Sequence, residues 1–143
     1  MYVFAYGTLT DADRAAAILD EFGFCGDRVL DGLHRVEGIY PTLARGGKVR
    51  GRLLRTDEIN ALDEYEGVDR GLYVRVPVPI ADETGSQDGT VARDDGTDAS
   101  TAELYVGDPD ALGAAGVSWP GSGSFRDRVE RYVREERVRL RRV

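Results

Sequence analysis

Two short segments carry side chains whose types and spacing can do chemistry. The first is Leu62-Asp63-Glu64-Tyr65-Glu66-Gly67. On a helix turning about 100° per residue, with Ile59 at zero, Leu62 falls at about −60° and Glu66 at about −20°. Glu66 therefore follows the apolar face set by Ile59 and Leu62, and its carboxylate is aimed inward. It stands in the last turn before a helix-ending glycine, where the macrodipole is negative. Desolvation and the neighbouring Asp63 and Glu64 act in the same direction, so all three influences raise the proton affinity of Glu66. A carboxyl so placed suits a general base or acid. The competing reading is a frayed helix end that releases Glu66 to water, with Asp63 and Glu64 as solvated charges.

The second segment is Tyr2-Val-Phe-Ala-Tyr-Gly-Thr-Leu-Thr-Asp11. Tyr2, Phe4 and Tyr6 alternate with Val3 and Ala5, the pattern of a strand with both faces occupied. Gly7 is expected to supply backbone angles that a residue with Cβ resists, and Thr10 or Asp11 to cap a following helix. A strand that delivers backbone N–H groups to a helix start is an anion-binding geometry. The Gly7 turn has neither the Walker lysine nor the dinucleotide-binding glycine spacing, which disfavours a nucleotide. Tyr6, Tyr40, Tyr73 and Tyr105 fall in or at the ends of extended segments. They either fill the core with their hydroxyls outward or donate phenolic hydrogen bonds into a pocket.

Other chemistries find little support. His34 is the only histidine and lies in a strand-like stretch, and Cys25 is the only cysteine, so neither a zinc set nor an intrachain disulfide is available. Ser118, Ser122 and Ser124 have no nucleophile-elbow context. The net charge is −7, with Lys48 the single lysine, which argues against general nucleic-acid binding. Residues 126–143 are the exception, with eight arginines against four acids. That segment reads as an arginine-laced helix and strand lying against an acidic body.

The elements that must hold these residues can be read in order. Residues 11–22 have Ala12, Ala15, Ala16, Leu19 and Phe22 at helical spacing. Residues 23–55 read as extended chain broken at Gly32, Gly38 and Gly46-Gly47. Thr56 caps a short helix, Asp57 to about Glu66, that ends at Gly67. Residues 72–80 alternate as a strand, and Pro77 and Pro79 place it at a sheet edge or bulge. Residues 81–99 are rich in Asp, Gly, Thr and Ser and read as a flexible solvated loop. Thr101–Val106 is a further strand, and 107–124 is irregular, with Trp119-Pro120 plugging an edge of the core. Ser124 and Asp127 form a capping box for a helix with Phe125, Val129, Tyr132 and Val133 on its apolar face, and Val138-Arg-Leu-Arg closes the chain as a strand. The expected fold is a single α+β domain over 1–143. Its sheet is expected to be a small, strongly curved mixed β-barrel with a few short helices. The chain has no apolar run of membrane-spanning length and starts directly into a strand, so a cytoplasmic protein that does not bind membranes is expected.

The ordered set of these pieces resembles the gamma-glutamylcyclotransferase-like family. The matching residues are Tyr6-Gly7-Thr8-Leu9, Tyr40-Pro41, Gly51 within Val49-Arg-Gly-Arg-Leu, Leu62–Gly67, Tyr73-x-Arg75 and Ala102-x-x-Tyr105. They span residues 2 to 107. The resemblance implies cleavage of a gamma-glutamyl amide by intramolecular cyclisation, giving 5-oxoproline and a free amine or amino acid. It implies Glu66 as the base and the Tyr6–Leu9 loop as the holder of the substrate's alpha-carboxylate. Tyr40, Tyr73 and Tyr105 are expected to line the substrate pocket, and no cofactor or metal is required. A non-catalytic ligand-binding or partner-binding protein of the same fold is the alternative, and a missing glutamate would mark it; Glu66 is present. Neither the leaving group nor the oligomeric state is legible.

Overall fold

A computed structural model describes residues 1–81, 101–114 and 116–143. Six strands form one mixed sheet: β1 (Tyr2–Ala5), β2 (Gly23–Val36), β3 (Thr42–Arg55), β4 (Tyr73–Pro79), β5 (Thr101–Gly107) and β6 (Arg139–Arg142). Their order is β4-β5-β1-β3-β2-β6. Every neighbouring pair is antiparallel except β1 and β5, which run parallel. The sheet curls until its two edge strands approach: Ile80 bridges Leu140, and the Ala81 N–H donates to the Leu140 carbonyl. The prolines of β4 therefore sit on an edge strand, where a missing N–H interrupts no ladder.

The helices are short: α1 (Ala12–Ile18), α2 (Ile59–Glu66), α3 (Pro109–Leu112) and α4 (Phe125–Glu135). The first stops earlier than its apolar spacing implies. Leu19 is extended, and the exposed chain after it is held from outside, because the Glu58 carboxylate accepts hydrogen bonds from the N–H groups of Asp20 and Glu21. The start of α2 also differs from expectation. Thr56 Oγ1 accepts from the Glu58 N–H, which makes a turn ahead of the helix, and Glu58 occupies the cap position. Between 107 and 124 the expected irregular chain contains α3, capped by the Asp108 side chain. Gly32 and Gly46-Gly47, expected to break the extended chain, lie inside β2 and β3, where a register shift between Asp31 and Leu33 absorbs the irregularity. Ser124 caps α4 as its sequence implies. The reading of 81–99 as a loop falls, apart from Ala81, outside the described residues.

β1 is buried on both faces, and this organises the molecule. Tyr2, Phe4 and Tyr6 point into the larger core, with Leu33, Leu53, Val76 and Leu104 of the sheet and Trp119, Val129 and Val133 from the C-terminal third. Trp119 packs edge-on against Phe125 and Tyr132, which seals that core under α4. Val3 and Ala5 point the other way, into a second core with Leu9, Leu19, Leu62, Tyr73, Tyr105 and Leu112. That second core fixes α1 and α2 on the outside of the sheet. β1 can be crowded so tightly because β3 carries Gly51 beside it: a Cβ there would collide with the Ala5 carbonyl and the Phe4 ring.

Candidate active site

The carboxyl-end of β1 opens onto a cavity of about 230 Å³. Tyr6, Gly7, Leu9, Tyr40, Glu66, Tyr73 and Tyr105 all line it, so residues far apart in sequence converge there. Thr8 opens the 3-10 turn Thr8–Thr10 that leads from Gly7 toward α1. The turn is closed by Thr10, whose N–H and hydroxyl both donate to the Gly7 carbonyl. Asp11 then caps α1, its carboxylate accepting from the Asp13 N–H.

Gly7 departs from the expectation placed on it. It is not among the glycines with positive φ, so its backbone does not demand glycine. Nor does the protein crowd it: an added Cβ would meet only Pro41 Cγ, at 3.9 Å. The missing side chain leaves space on the cavity wall and does not relieve strain.

Glu66 reaches the cavity from the last turn of α2. Leu62, one turn earlier, is fully buried and pins that helix face to the second core. Gly67 stops the helix in the left-handed conformation, φ 71°, with its N–H returning to the carbonyls of Asp63 and Glu64. Among the described residues the Glu66 carboxyl has no hydrogen-bond or ion-pair partner. Burial without a partner pushes it from an ordinary 4.5 up to about 7. The cause is desolvation alone. Asp63 and Glu64 were expected to contribute, and they do not. Asp63 is occupied elsewhere: it accepts the Tyr105 hydroxyl at 2.7 Å and pairs with Arg75 at 3.3 Å. Arg75 in turn reaches Glu103 at 3.7 Å. Asp63 is thus part of a bridge from α2 to β4 and β5, and the reading of it as a solvated charge is wrong. Glu64 is exposed.

The tyrosines are also not as expected. Three of the four turn their hydroxyls inward onto acceptors. Tyr6 donates to the Tyr105 carbonyl at 2.5 Å, Tyr73 to the Pro41 carbonyl at 2.5 Å, and Tyr105 to Asp63. Burial raises the proton affinity of all three phenols; for Tyr105 the hydrogen bond to Asp63 adds to it, for Tyr73 the charge of Glu66, and for Tyr6 that of Tyr73 and then Glu66. They are neutral walls whose protons are already engaged. Tyr40 is different. It lies in the β2–β3 connection, 55% exposed, at the cavity mouth. Tyr65, 40% exposed, also borders the cavity.

Sequence reasoning missed two cations, Arg14 of α1 and Arg70 of the 3-10 turn Val68–Arg70, which both line the cavity. Arg70 stands four residues after Glu66, the spacing of a helical ion pair, but Gly67 ends the helix between them and no such pair forms. His34 plays no part; its Nδ1 faces the Gly46 carbonyl. Among the described residues no cluster of His, Cys, Asp and Glu can hold a metal, and no helix is long and apolar enough to cross a membrane.

Residues 3–126 match the family described as gamma-glutamyl cyclotransferase, AIG2-like. The chain belongs to that family. Solved structures share the fold. One titled gamma-glutamyl cyclotransferase aligns over 94% of this chain and 98% of its own at 14% identity, with a TM-score of 0.58. An uncharacterised human protein aligns over 87% and 94% at 17% identity, TM-score 0.60. A protein from Arabidopsis thaliana aligns over 95% and 79% at 28% identity, TM-score 0.50. No curated protein matches the sequence. The curled mixed sheet with its short helices is thus the gamma-glutamyl cyclotransferase fold, and the cavity lies at the end of that fold's first strand.

Proposed function

We propose that this chain converts a gamma-glutamyl compound to 5-oxoproline and a free amine or amino acid, with Glu66 as general base and then general acid. The observation that carries this is Glu66 itself: an unpaired carboxyl on the cavity wall, with its pKa pushed up to about 7. Near neutral pH such a group is half-ionised and can both take and return a proton. Family membership and the Gly7 turn on the same cavity add support.

The step balances without any other reactant. The substrate's alpha-ammonium gives a proton to Glu66 and becomes a nucleophile. The amine attacks its own gamma-carbonyl, a new C–N bond closes a five-membered ring, and the old amide C–N bond breaks. Glu66 returns the proton to the departing nitrogen as that bond breaks. The ring nitrogen, which closes the ring with one proton too many, gives it up through Glu66 as the lactam forms, and the released amine leaves as an ammonium. No electron is transferred and no water is consumed. The protein's main task is to hold the folded conformer, for which effective molarity supplies much of the acceleration. The substrate's alpha-carboxylate rests against the Gly7–Leu9 turn, where the absent Cβ leaves room for close approach to the backbone. Tyr6, Tyr73 and Tyr105 shape the pocket with their rings. Their phenolic protons are engaged, so the developing oxyanion is left to backbone N–H groups at the turn and to the Tyr40 hydroxyl at the mouth.

The test is a panel of gamma-glutamyl amines and gamma-glutamyl amino acids assayed for 5-oxoproline. The expected result is turnover of at least one compound and its loss in Glu66→Gln, with the circular dichroism spectrum unchanged. A folded Glu66→Gln variant that keeps wild-type turnover would remove Glu66 from the reaction.

A further inference from the structure

The proposed cyclisation leaves one charge on the cavity wall without a task. Most arginines around the site are committed: Arg75 to Asp63 and Glu103, Arg35 to Glu37 and the Tyr6 carbonyl, Arg52 to the Thr10 carbonyl and the Phe24 ring. Arg14 and Arg70 line the cavity from its exposed edge, and among the described residues neither has a hydrogen-bond or ion-pair partner in the protein. Arg70 is nevertheless placed. Its guanidinium lies over the bare face of Gly67, where an added Cβ would come within 2.9 Å of Nη2 and 3.2 Å of Nε. It therefore lies beside the residue that follows Glu66, and the proton affinity of Glu66 is set by burial and not by this cation.

A gamma-glutamyl group brings one ammonium and one carboxylate. On the reading above, Glu66 meets the ammonium. The alpha-carboxylate meets the Gly7 turn, and Arg14 stands on the helix that begins directly after that turn. Arg70, exposed to solvent at the cavity edge, is then the cation left to meet a second anion on the departing amine. The chain as a whole is at −7 and repels anionic ligands, so a site for a doubly carboxylated substrate needs local positive charge. Two unspent guanidiniums in one small cavity supply it, in the fork geometry that suits carboxylates.

We propose that Arg70 is a specificity residue that selects gamma-glutamyl substrates whose leaving amine bears a carboxylate, that is, gamma-glutamyl amino acids over gamma-glutamyl amines. Arg14 serves the alpha-carboxylate common to both. This inference rests on the cyclotransferase reading, and the experiment separates the two.

Gamma-glutamylalanine and gamma-glutamylethylamine differ only by the leaving-group carboxylate. Their kcat/KM values for 5-oxoproline release are measured for the wild type, Arg70→Met, Arg70→Lys and Arg14→Met. The wild type is expected to favour the alanine compound by about tenfold or more, the worth of one charged hydrogen-bonded contact. Arg70→Met brings the ratio to about one, and Arg70→Lys keeps part of it. Arg14→Met lowers both values together and leaves the ratio in place. The ratio is insensitive to the fraction of folded enzyme, so a destabilised variant remains informative. Turnover of both compounds at equal kcat/KM by the wild type, or a ratio unmoved in Arg70→Met, overturns the role of Arg70 and leaves the cyclotransferase reading standing. Release of 5-oxoproline from neither compound, nor from any other gamma-glutamyl compound, overturns both.

Discussion

Glu66 costs the protein stability, and the cost depends on pH in a way that can be worked out. Its carboxyl is half-buried on the cavity wall without a partner, and desolvation raises its pKa from the ordinary 4.5 to about 7. The folded state therefore favours the neutral acid. Below the ordinary value of 4.5 both folded and unfolded chains hold the proton, and no penalty arises. As pH climbs from 4.5 to 7, the unfolded chain releases its proton while the folded chain still holds it, and stability falls. Above 7 the folded protein carries a half-buried, unpaired anion, and a penalty of up to about 3 kcal/mol, lessened by solvent screening, is present. Glu66→Gln removes the ionisation and keeps the shape. The variant is expected to match the wild type at pH 4 and to exceed it by up to about 3 kcal/mol at pH 8.5. For a chain of this size that corresponds to a rise in Tm of up to about 10 °C. Thermal and urea unfolding of both proteins at pH 4, 6, 7 and 8.5 measures the difference directly, and the comparison cancels the groups they share. A stability difference that stays flat across that range would show that Glu66 titrates normally, and the argument for it as a base near neutrality would fail with it. An inactive variant that is more stable than the active enzyme is the pattern expected of a functional strain.

Further outcomes follow from the same geometry. The pH profile of kcat/KM for 5-oxoproline release should rise through an apparent pKa near 7, because the free enzyme must present an ionised Glu66; a limb near 4.5 would contradict this. Gly7→Val should fold with little change in Tm, since a Cβ there meets only Pro41 at 3.9 Å, yet should raise KM by filling the cavity wall; unchanged KM would make the turn purely structural. Tyr105→Phe should cost about 1–2 kcal/mol in unfolding free energy by stripping Asp63 of its hydroxyl partner, and equal stability in urea titrations would show that the bridge from α2 is idle. Gly67→Ala should destabilise by at least about 1 kcal/mol, since a Cβ at φ 71° is strained and would press into Leu72. An unchanged denaturation midpoint would refute that.

Much of this architecture is legible in the residue order, and the parts that are not have physical reasons. The alternation of Tyr2, Phe4 and Tyr6 with Val3 and Ala5 announces a strand buried on both sides, and β1 indeed divides the two cores. The spacing of Ile59, Leu62 and Glu66 places the carboxyl on the inward face of α2, because helical periodicity is local. What fails depends on contacts remote in sequence. Nothing near Asp63 signals that Tyr105 and Arg75 will occupy it, across 42 residues in the first case. Nothing near Tyr6 signals that its hydroxyl will be taken by a carbonyl 99 residues away. Gly7 misleads for the opposite reason. A glycine in a turn suggests a backbone requirement, but this one serves space on a surface that only the assembled fold creates. Arg70 is masked by the Gly67 stop, which turns an apparent helical ion pair into a separate cation at the cavity edge.

The central claim is that Glu66 drives an intramolecular cyclisation. The most direct measurement follows the products from a gamma-glutamyl amino acid in water enriched in ¹⁸O, for the wild type and Glu66→Gln. Stoichiometric 5-oxoproline and free amino acid are expected from the wild type, with no solvent oxygen in either product, and no product from Glu66→Gln. Labelled glutamate in place of 5-oxoproline would mean hydrolysis, and equal product from both proteins would mean that Glu66 is not the base; either result contradicts the account.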